Sequence, residues 1–349
     1  MAERIGPRAA ALLGALVLGG CTMIPSYTRP EVPVADAWAE GAVETEAAEV
    51  AAADLGWRDV FADERLQRLL ELALQNNRDL RMAALNVERL HALYRIERAP
   101  LLPNVSATGS ATFQELPAAI PSSRFAPDAQ YSANIGVTAW ELDFFGRIRS
   151  LSEQALQQYF ATEQARRSVH VSLVAQVATA HFDERALAEQ LELARKTLEA
   201  VEASYAATRR AFELGTASEL DLRTAESQVE TARFNLSFYE QQHAQAVNAL
   251  VFLIGTPLPP DLPEGKPLRE ATVIADLPAG LPSELLVRRP DILAAEHELL
   301  AANASIGAAR AAFFPSITLT GAAGFASTDL GALFQGDSFT WSFTPRIQV

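Results

Sequence analysis

The sequence predicts a mixed α and β chain in which very long α-helical hairpins alternate with short amphipathic β-hairpins, the arrangement repeating at an offset of 212 residues. Three observations carry this reading: Gly- and Pro-free runs far longer than an ordinary helix, segments whose polarity alternates with period two, and a gapless self-alignment. In chain order, residues 1–20 read as a signal peptide and 21–56 as an extended N-terminal segment. Residues 57–99 form the helix of the first repeat, 103–141 its β-hairpin, 147–254 a long helical hairpin and 255–282 a Pro-rich connector. Residues 283–314 form the helix of the second repeat and 315–349 its β-hairpin, cut short.

The N-terminus carries Arg4 and Arg8, an apolar stretch from Ala9 to Leu18, and then Gly19, Gly20 and Cys21. This is a secretory signal too short to span a bilayer. Its last four residues resemble a bacterial lipobox, in which the cysteine is acylated and becomes the first residue of the mature chain. Cys21 is the single cysteine of the sequence, so no internal disulfide is available to it, and acylation accounts for a lone thiol in an oxidising compartment. Thr22, in place of Asp, resembles the pattern sorted to the outer membrane.

The helical runs come next. Between Trp57 and Ala99, Leu66, Leu69, Leu70, Ala73, Leu80, Ala83, Val87, Leu90 and Tyr94 recur at spacings of three and four. From Arg147 to Leu214 there is no Gly or Pro, and Ala, Leu, Glu, Gln and Arg dominate. A continuous helix of that length reaches roughly 100 Å at 1.5 Å per residue. Gly215 ends it, because a position of positive φ suits Gly, and Thr216 to Ile254 returns as a second helix.

Between the helices the period becomes two. The even positions from Asn104 to Thr112 are polar and the odd ones from Val105 to Phe113 are apolar or small. From Tyr131 to Trp140, Ala133, Ile135, Val137 and Ala139 oppose Ser132, Asn134 and Thr138. Residues 115–130, with Pro117, Pro121 and Pro127, read as an exposed loop. Strands of about ten residues suit a transmembrane barrel; a half-buried strand of a soluble sandwich has the same pattern, and on polarity alone both remain open.

Residue n matches residue n + 212 at ten of the 35 positions 79–113, seven of them within the last sixteen. Asp79 falls on Asp291, Arg98 on Arg310, Pro103 on Pro315, Gly109 on Gly321 and Phe113 on Phe325. The second copy's strands are read from Ser316 to Phe325 and from 338 onward, where Phe339, Trp341 and Phe343 alternate with Thr340, Ser342 and Thr344. A counterpart of the long hairpin has no room before residue 349, so the sequence is expected to be a fragment.

The chemistry of the chain is that of a conduit. A formal charge of −14 argues against nucleic acid as a partner. His91, His170, His181, His243 and His297 lack metal-ligand spacing and are read as helix-surface residues, with no metal, cofactor or catalytic group expected. No phosphate loop or nucleophile motif is present.

Four places give the chain a family resemblance. Trp140, Glu141, Leu142, Asp143, Phe144, Phe145, Gly146 and Arg147 closely resemble the WELDxFGR motif of the outer membrane factors, the TolC-like and OprM-like channels of tripartite efflux pumps. Cys21 to Pro25 with Tyr27 and Pro30 resembles the lipoprotein start of the OprM-like branch. Arg288 to Ile292 with Ala294, Ala295 and Glu296 resembles its RRPDIxAAE motif, and Phe314 to Ile317 with Leu319, Thr320 and Gly321 its second-repeat strand start. The resemblance implies a homotrimer in which each subunit gives four strands to a twelve-stranded membrane β-barrel, continuous with long periplasmic α-helical hairpins. It also implies an outer-membrane location, a covalent lipid on Cys21, and a periplasmic adaptor and inner-membrane pump as partners.

Phe212 to Asp221 resembles the family's periplasmic tip, which implies an adaptor-docking role for Gly215 and Ser218 over and above their local roles as helix C-cap and N-cap. Asp221 falls where the family can carry an acid near the closed aperture, although an Asp in a first helical turn is favourable with the helix dipole in any case. Arg147 and Arg149 suit either a membrane boundary or a solvated helix start. Trp140, Phe144 and Phe145 suit either an interfacial girdle or packing between strands and helices. The function expected is a passive export duct for small molecules or drugs. The alternatives are the outlet of a type I protein secretion system and, in a different class, a periplasmic coiled-coil tether.

Overall fold

A computed structural model describes residues 22–31, 55–115, 128–270 and 286–349. The signal segment, Cys21, most of the predicted loop 115–130 and the second half of the connector lie outside these residues. The elements in order are α1 (Trp57–Val60), α2 (Glu64–Asn76), α3 (Arg78–Arg98), β1 (Val105–Phe113), β2 (Ala129–Glu141), α4 (Arg147–Glu213), α5 (Glu219–Ile254), α6 (Pro290–Ala311), β3 (Ser316–Ser327) and β4 (Phe339–Gln348). They group into two compact units, one of residues 1–30, 87–162 and 294–349, the other of 31–86 and 163–293.

Among the described residues, the first unit contains one antiparallel sheet, of order β1-β2-β3-β4. Its register brings like faces together across all four strands. Ala107 pairs with Ile135, Ile135 with Ala323 and Ala323 with Trp341, while Thr108 pairs with Asn134, Asn134 with Gly324 and Gly324 with Thr340. Because side chains alternate between faces, the whole apolar set lies on one side and the hydroxyls and amide on the other. Every residue of β1 and of β4 is exposed.

One strand position departs from strict alternation. Val137 pairs with Gly321 but Trp140 with Leu319, so Thr138 and Ala139 together oppose Thr320. Ala139 sits at φ 49° and its N–H donates to Thr320 Oγ1 at 3.1 Å. This β-bulge removes Ala139 from the apolar row to which simple alternation assigned it, and puts Trp140 there beside Leu319.

The second unit is built on Leu66, Leu69, Leu70 and Ala73 of α2, Leu173, Val177 and Ala178 of α4, and Leu250 and Ile254 of α5. None of these side chains is more than 5 % exposed. On α4 the inward positions Leu173 and Val177 continue at the same spacing to His181, which is 1 % exposed. His181 is therefore a buried residue, and its assignment to the helix surface is corrected.

Two predicted helices are also corrected. The run 57–99 is interrupted twice, because Asp63 N-caps α2 by accepting from Leu66 N at 2.8 Å and Asn77 accepts from Leu80 N at 2.8 Å to start α3. At Asn77 the backbone is extended, with ψ 130°, and its side chain donates to the Leu253 carbonyl. The second-repeat helix, expected over 283–314, is broken at Arg289: residues 286–288 are helical and α6 resumes at Pro290, since proline disfavours helical backbone at the residue before it, while residues 283–285 lie outside the described residues. By contrast, α4 is unbroken over 67 residues.

The buried polar group around His181 gives the second unit a pH response. Burial pushes the His181 imidazole below its usual 6.5, against the opposing pull of Asp63 and Glu184 and with smaller contributions from Arg65 and Arg185. Asp63 Oδ1 stands 4.0 Å from His181 Nε2, and Glu184 Oε1 is 3.1 Å from His243 Nε2 on α5. With the folded pKa depressed, the unfolded chain takes up the proton first as pH falls, so stability present above about 6.5 is lost progressively below it. Thermal midpoints measured from pH 7.5 to 5 should fall for the natural chain and fall less for His181→Asn; equal slopes would show that this histidine does not carry the response.

Candidate functional site

Three parts of the fold carry the predicted site residues. They are the strand wall, the corner where β2 turns into α4, and the tip between α4 and α5.

At the corner, six of the eight residues of the segment Trp140 to Arg147 have a mechanical task. Arg147 meets Glu141 with two parallel hydrogen bonds, Nε to Oε1 at 2.8 Å and Nη2 to Oε2 at 2.5 Å, and this carboxylate holds the Arg147 guanidinium above its usual pKa. The Asp143 carboxylate accepts from Ile148 N at 3.1 Å and Arg149 N at 2.9 Å, filling orphan donors of the first turn of α4. Arg149 closes the arrangement through Nε to Asp143 Oδ2 and Nη2 to the Asp143 carbonyl. Gly146 takes φ 76°, which a residue with a Cβ adopts at a cost, and its carbonyl accepts from both Ser150 N and Ser150 Oγ.

The aromatic residues of the corner divide. Trp140 Nε1 donates to the Pro100 carbonyl at 3.2 Å, and Phe145 stacks on Phe314 at 4.8 Å between centroids. Both tie strand ends to neighbouring chain, whereas Phe144 is left 43 % exposed. Removing the Asp143 carboxylate strips α4 of its cap and Arg149 of its partner. Asp143→Ala is expected to cost about 1–2 kcal/mol, read as a lowered urea midpoint, whereas Asp143→Asn, which keeps an acceptor, should recover part of the loss. No loss in the alanine variant would show that the corner does not depend on its cap.

At the tip, Gly215 adopts φ 75° and Thr216 N donates to the Ala211 carbonyl at 2.8 Å, closing α4. Ser218 and Asp221 form a reciprocal capping box. Asp221 N donates to Ser218 Oγ at 3.2 Å, and Ser218 N donates to Asp221 Oδ2 at 3.0 Å. The Ser218 hydroxyl donates to that same Oδ2 at 2.6 Å, and these bonds hold the Asp221 carboxyl below the ordinary carboxylate range. Leu214 and Leu220, on either side of the turn, are 80 % and 76 % exposed. The tip thus pairs a rigid turn with a small apolar surface, and Asp221 has a local task whatever else it does.

Among the described residues, no group of three or more His, Cys, Asp or Glu is placed to hold a metal ion. No described helix is long and apolar enough to cross a membrane. What the geometry offers is a two-faced sheet joined by a stiff, ion-paired corner to long helices. Residues 69–256 and 281–349 match the outer membrane efflux protein family.

The chain belongs to that family.

The toluene efflux pump outer membrane protein TtgC of Pseudomonas putida is 52% identical over 339 residues, covering 96% of this chain and 70% of the relative. Outer membrane protein OprJ of Pseudomonas aeruginosa is 42% identical over 340 residues, covering 97% of this chain and 71% of the relative. The open state of the Neisseria gonorrhoeae MtrE outer membrane channel superposes with a TM-score of 0.84 at 44% identity, covering 94% of this chain and 72% of that one. Family membership resolves the ambiguity of the strands. The sheet of this outer-membrane efflux protein is a piece of membrane β-barrel, continuous with long helical hairpins reaching into the periplasm.

Two features escaped the reading of the sequence. The bulge at Thr138 and Ala139 follows from how β2 is paired, and no turn residue marks it. The clustering of Asp63, His181, Glu184 and His243 joins positions up to 180 residues apart; only the placement of His181 on the Leu173–Val177 spacing could have signalled it.

Proposed function

We propose that this protein is the outer-membrane duct of a tripartite efflux system, a homotrimer whose subunits each give four strands to a twelve-stranded, water-filled barrel. The observation that carries the reading is the sheet itself. It is apolar on one face and polar on the other across all four strands, and β1 and β4 have no second neighbour among the described residues. In a bilayer, unpaired backbone N–H and C=O groups have no water to bond, so an open-edged sheet cannot persist there and its edges must pair with other copies. The apolar face then meets lipid and the hydroxyl face keeps the lumen wet.

Transport through such a duct is passive, with energy supplied by an inner-membrane pump and alignment by a periplasmic adaptor docked on the tip at Gly215 and Ser218. Asp221 belongs to the narrow periplasmic end, where its retained charge favours cations near the aperture. Small molecules are the favoured cargo, because TtgC is a toluene efflux pump protein. A covalent lipid on Cys21 anchors the N-terminus, and no other prosthetic group takes part.

The test is reconstitution of the full chain into planar bilayers together with its mass in detergent. A duct gives stepwise ion current from a detergent-dependent trimer. A species that stays soluble without detergent after removal of the lipid, and passes no current, would point to a tether and defeat the proposal.

A further inference from the structure

Residues 22–31 form neither helix nor strand, yet they are fastened along α6. The Arg29 guanidinium grips both oxygens of the Glu296 carboxylate, with Nε 2.7 Å from Oε1, and the Tyr27 hydroxyl donates to the same Oε1 at 3.1 Å. Farther along, Ile24 rests on Gly307. A Cβ there would stand 2.6 Å from Ile24 Cγ1 and 2.9 Å from both Ile24 N and Ser150 Oγ, so the missing side chain is what makes the seat. Last, Arg310 Nη1 lies 3.4 Å from the Met23 carbonyl and donates to it.

These contacts run in opposite directions along strap and helix, and their spacings can be compared. From Glu296 to Gly307 the helix rises about 16 Å. From Arg29 to Ile24 a fully extended chain reaches about 17 Å. The two spans are comparable, so an extended strap reaches from its ion pair to its seat.

A pair as exposed as Arg29, whose side chain is 47% accessible, contributes little to overall stability. Its bidentate geometry nonetheless fixes direction and register. The consequence concerns Cys21, which is two residues before Met23 and so tethered within about 7 Å of it. Met23 is held by Arg310, in the last turn of α6, from which the chain leads to β3 at Ser316.

We propose that Tyr27, Arg29, Glu296 and Gly307 form a clamp that registers the acylated Cys21 with the start of β3, so that the lipid and the barrel rim enter the same membrane plane. This rests on the acylation of Cys21 proposed above. The clamp is a positioning device: its ion pair sets where the anchor lies, and the acyl chains add their membrane affinity to that of the barrel.

A double-mutant cycle of Cys21→Ser with Glu296→Gln in the full chain tests it. Three readouts are needed: the fraction of chain in urea-washed outer membranes, the mass of the N-terminal peptide, and chymotryptic cleavage after Tyr27. Glu296→Gln should speed that cleavage about two- to fivefold with or without the lipid, the scale of an exposed ion pair. It should lower the membrane fraction of the acylated chain at least threefold and leave that of Cys21→Ser unchanged. Exchanging the charges, Arg29→Glu with Glu296→Arg, should restore both readouts, which separates a lost clamp from a lost fold. An equal drop in both backgrounds, or none in the acylated chain, overturns the proposal. A wild-type N-terminal peptide without acyl mass defeats the lipid reading and this proposal with it, and is told apart by that readout alone.

Discussion

Ile135→Arg should expel the protein from the membrane, whereas Thr108→Arg, on the other face of the same sheet, should not. Ile135 is central in β2, paired with Ala107 on one side and Ala323 on the other, and it is 58 % exposed on the apolar face. A guanidinium on the lipid side of a barrel costs about 2–4 kcal/mol near the bilayer midplane, and the proposed trimer would carry three copies of the change. Thr108 pairs with Asn134 on the face assigned to water, where an added cation meets solvent and alters ion selectivity more than insertion. The measurement is the fraction of chain resisting urea extraction from outer membranes, followed by conductance of the Thr108 variant. Similar insertion of both variants would reverse the face assignment, and with it the duct.

Leu70→Ala should give the largest loss of stability among single truncations in the second unit. Leu70 has no exposed surface and packs in the cluster formed with Leu173, Val177, Leu250 and Ile254. Truncating a fully buried leucine removes its transfer free energy and leaves a cavity, together about 2–5 kcal/mol. Leu85 on α3, 53 % exposed, is the internal control, with an expected change within about 0.5 kcal/mol on truncation. Urea unfolding followed by helical circular dichroism compares the two, and a loss below about 1 kcal/mol for Leu70→Ala would mean that the cluster does not govern this unit. The effect bears on function because α2, α4 and α5 meet there, at the root of the hairpin that carries the tip.

The long helices and the alternating strands were legible because they rest on local rules. A run such as Arg147 to Leu214 has no residue able to stop a helix, and the odd and even sets of residues 104–113 have no other sensible reading than a two-faced strand. The segment Trp140 to Arg147 was visible as a motif, yet the task of each residue was not: that Asp143 caps and Glu141 braces depends on a corner only pairing creates. Helix interruptions were missed for the opposite reason. Asp63 and Asn77 lie inside the run read as one helix, and they interrupt it because their side chains turn back onto backbone donors, a choice made by the Leu253 carbonyl and the packing of α2.

By itself, then, the sequence determined element type, polarity of faces, the repeat, and the family, since each depends on neighbours a few residues away or on motif spacing. Tertiary structure decided what depends on partners far along the chain. It closed the register that aligns four apolar rows, shifted Trp140 across at the bulge, buried His181 among Asp63 and Glu184, and stretched residues 22–31 along α6. The physical reason is common to all four: hydrogen bonding and burial between distant segments are set by where the backbone brings them, and a one-residue slip in pairing changes every such contact at once.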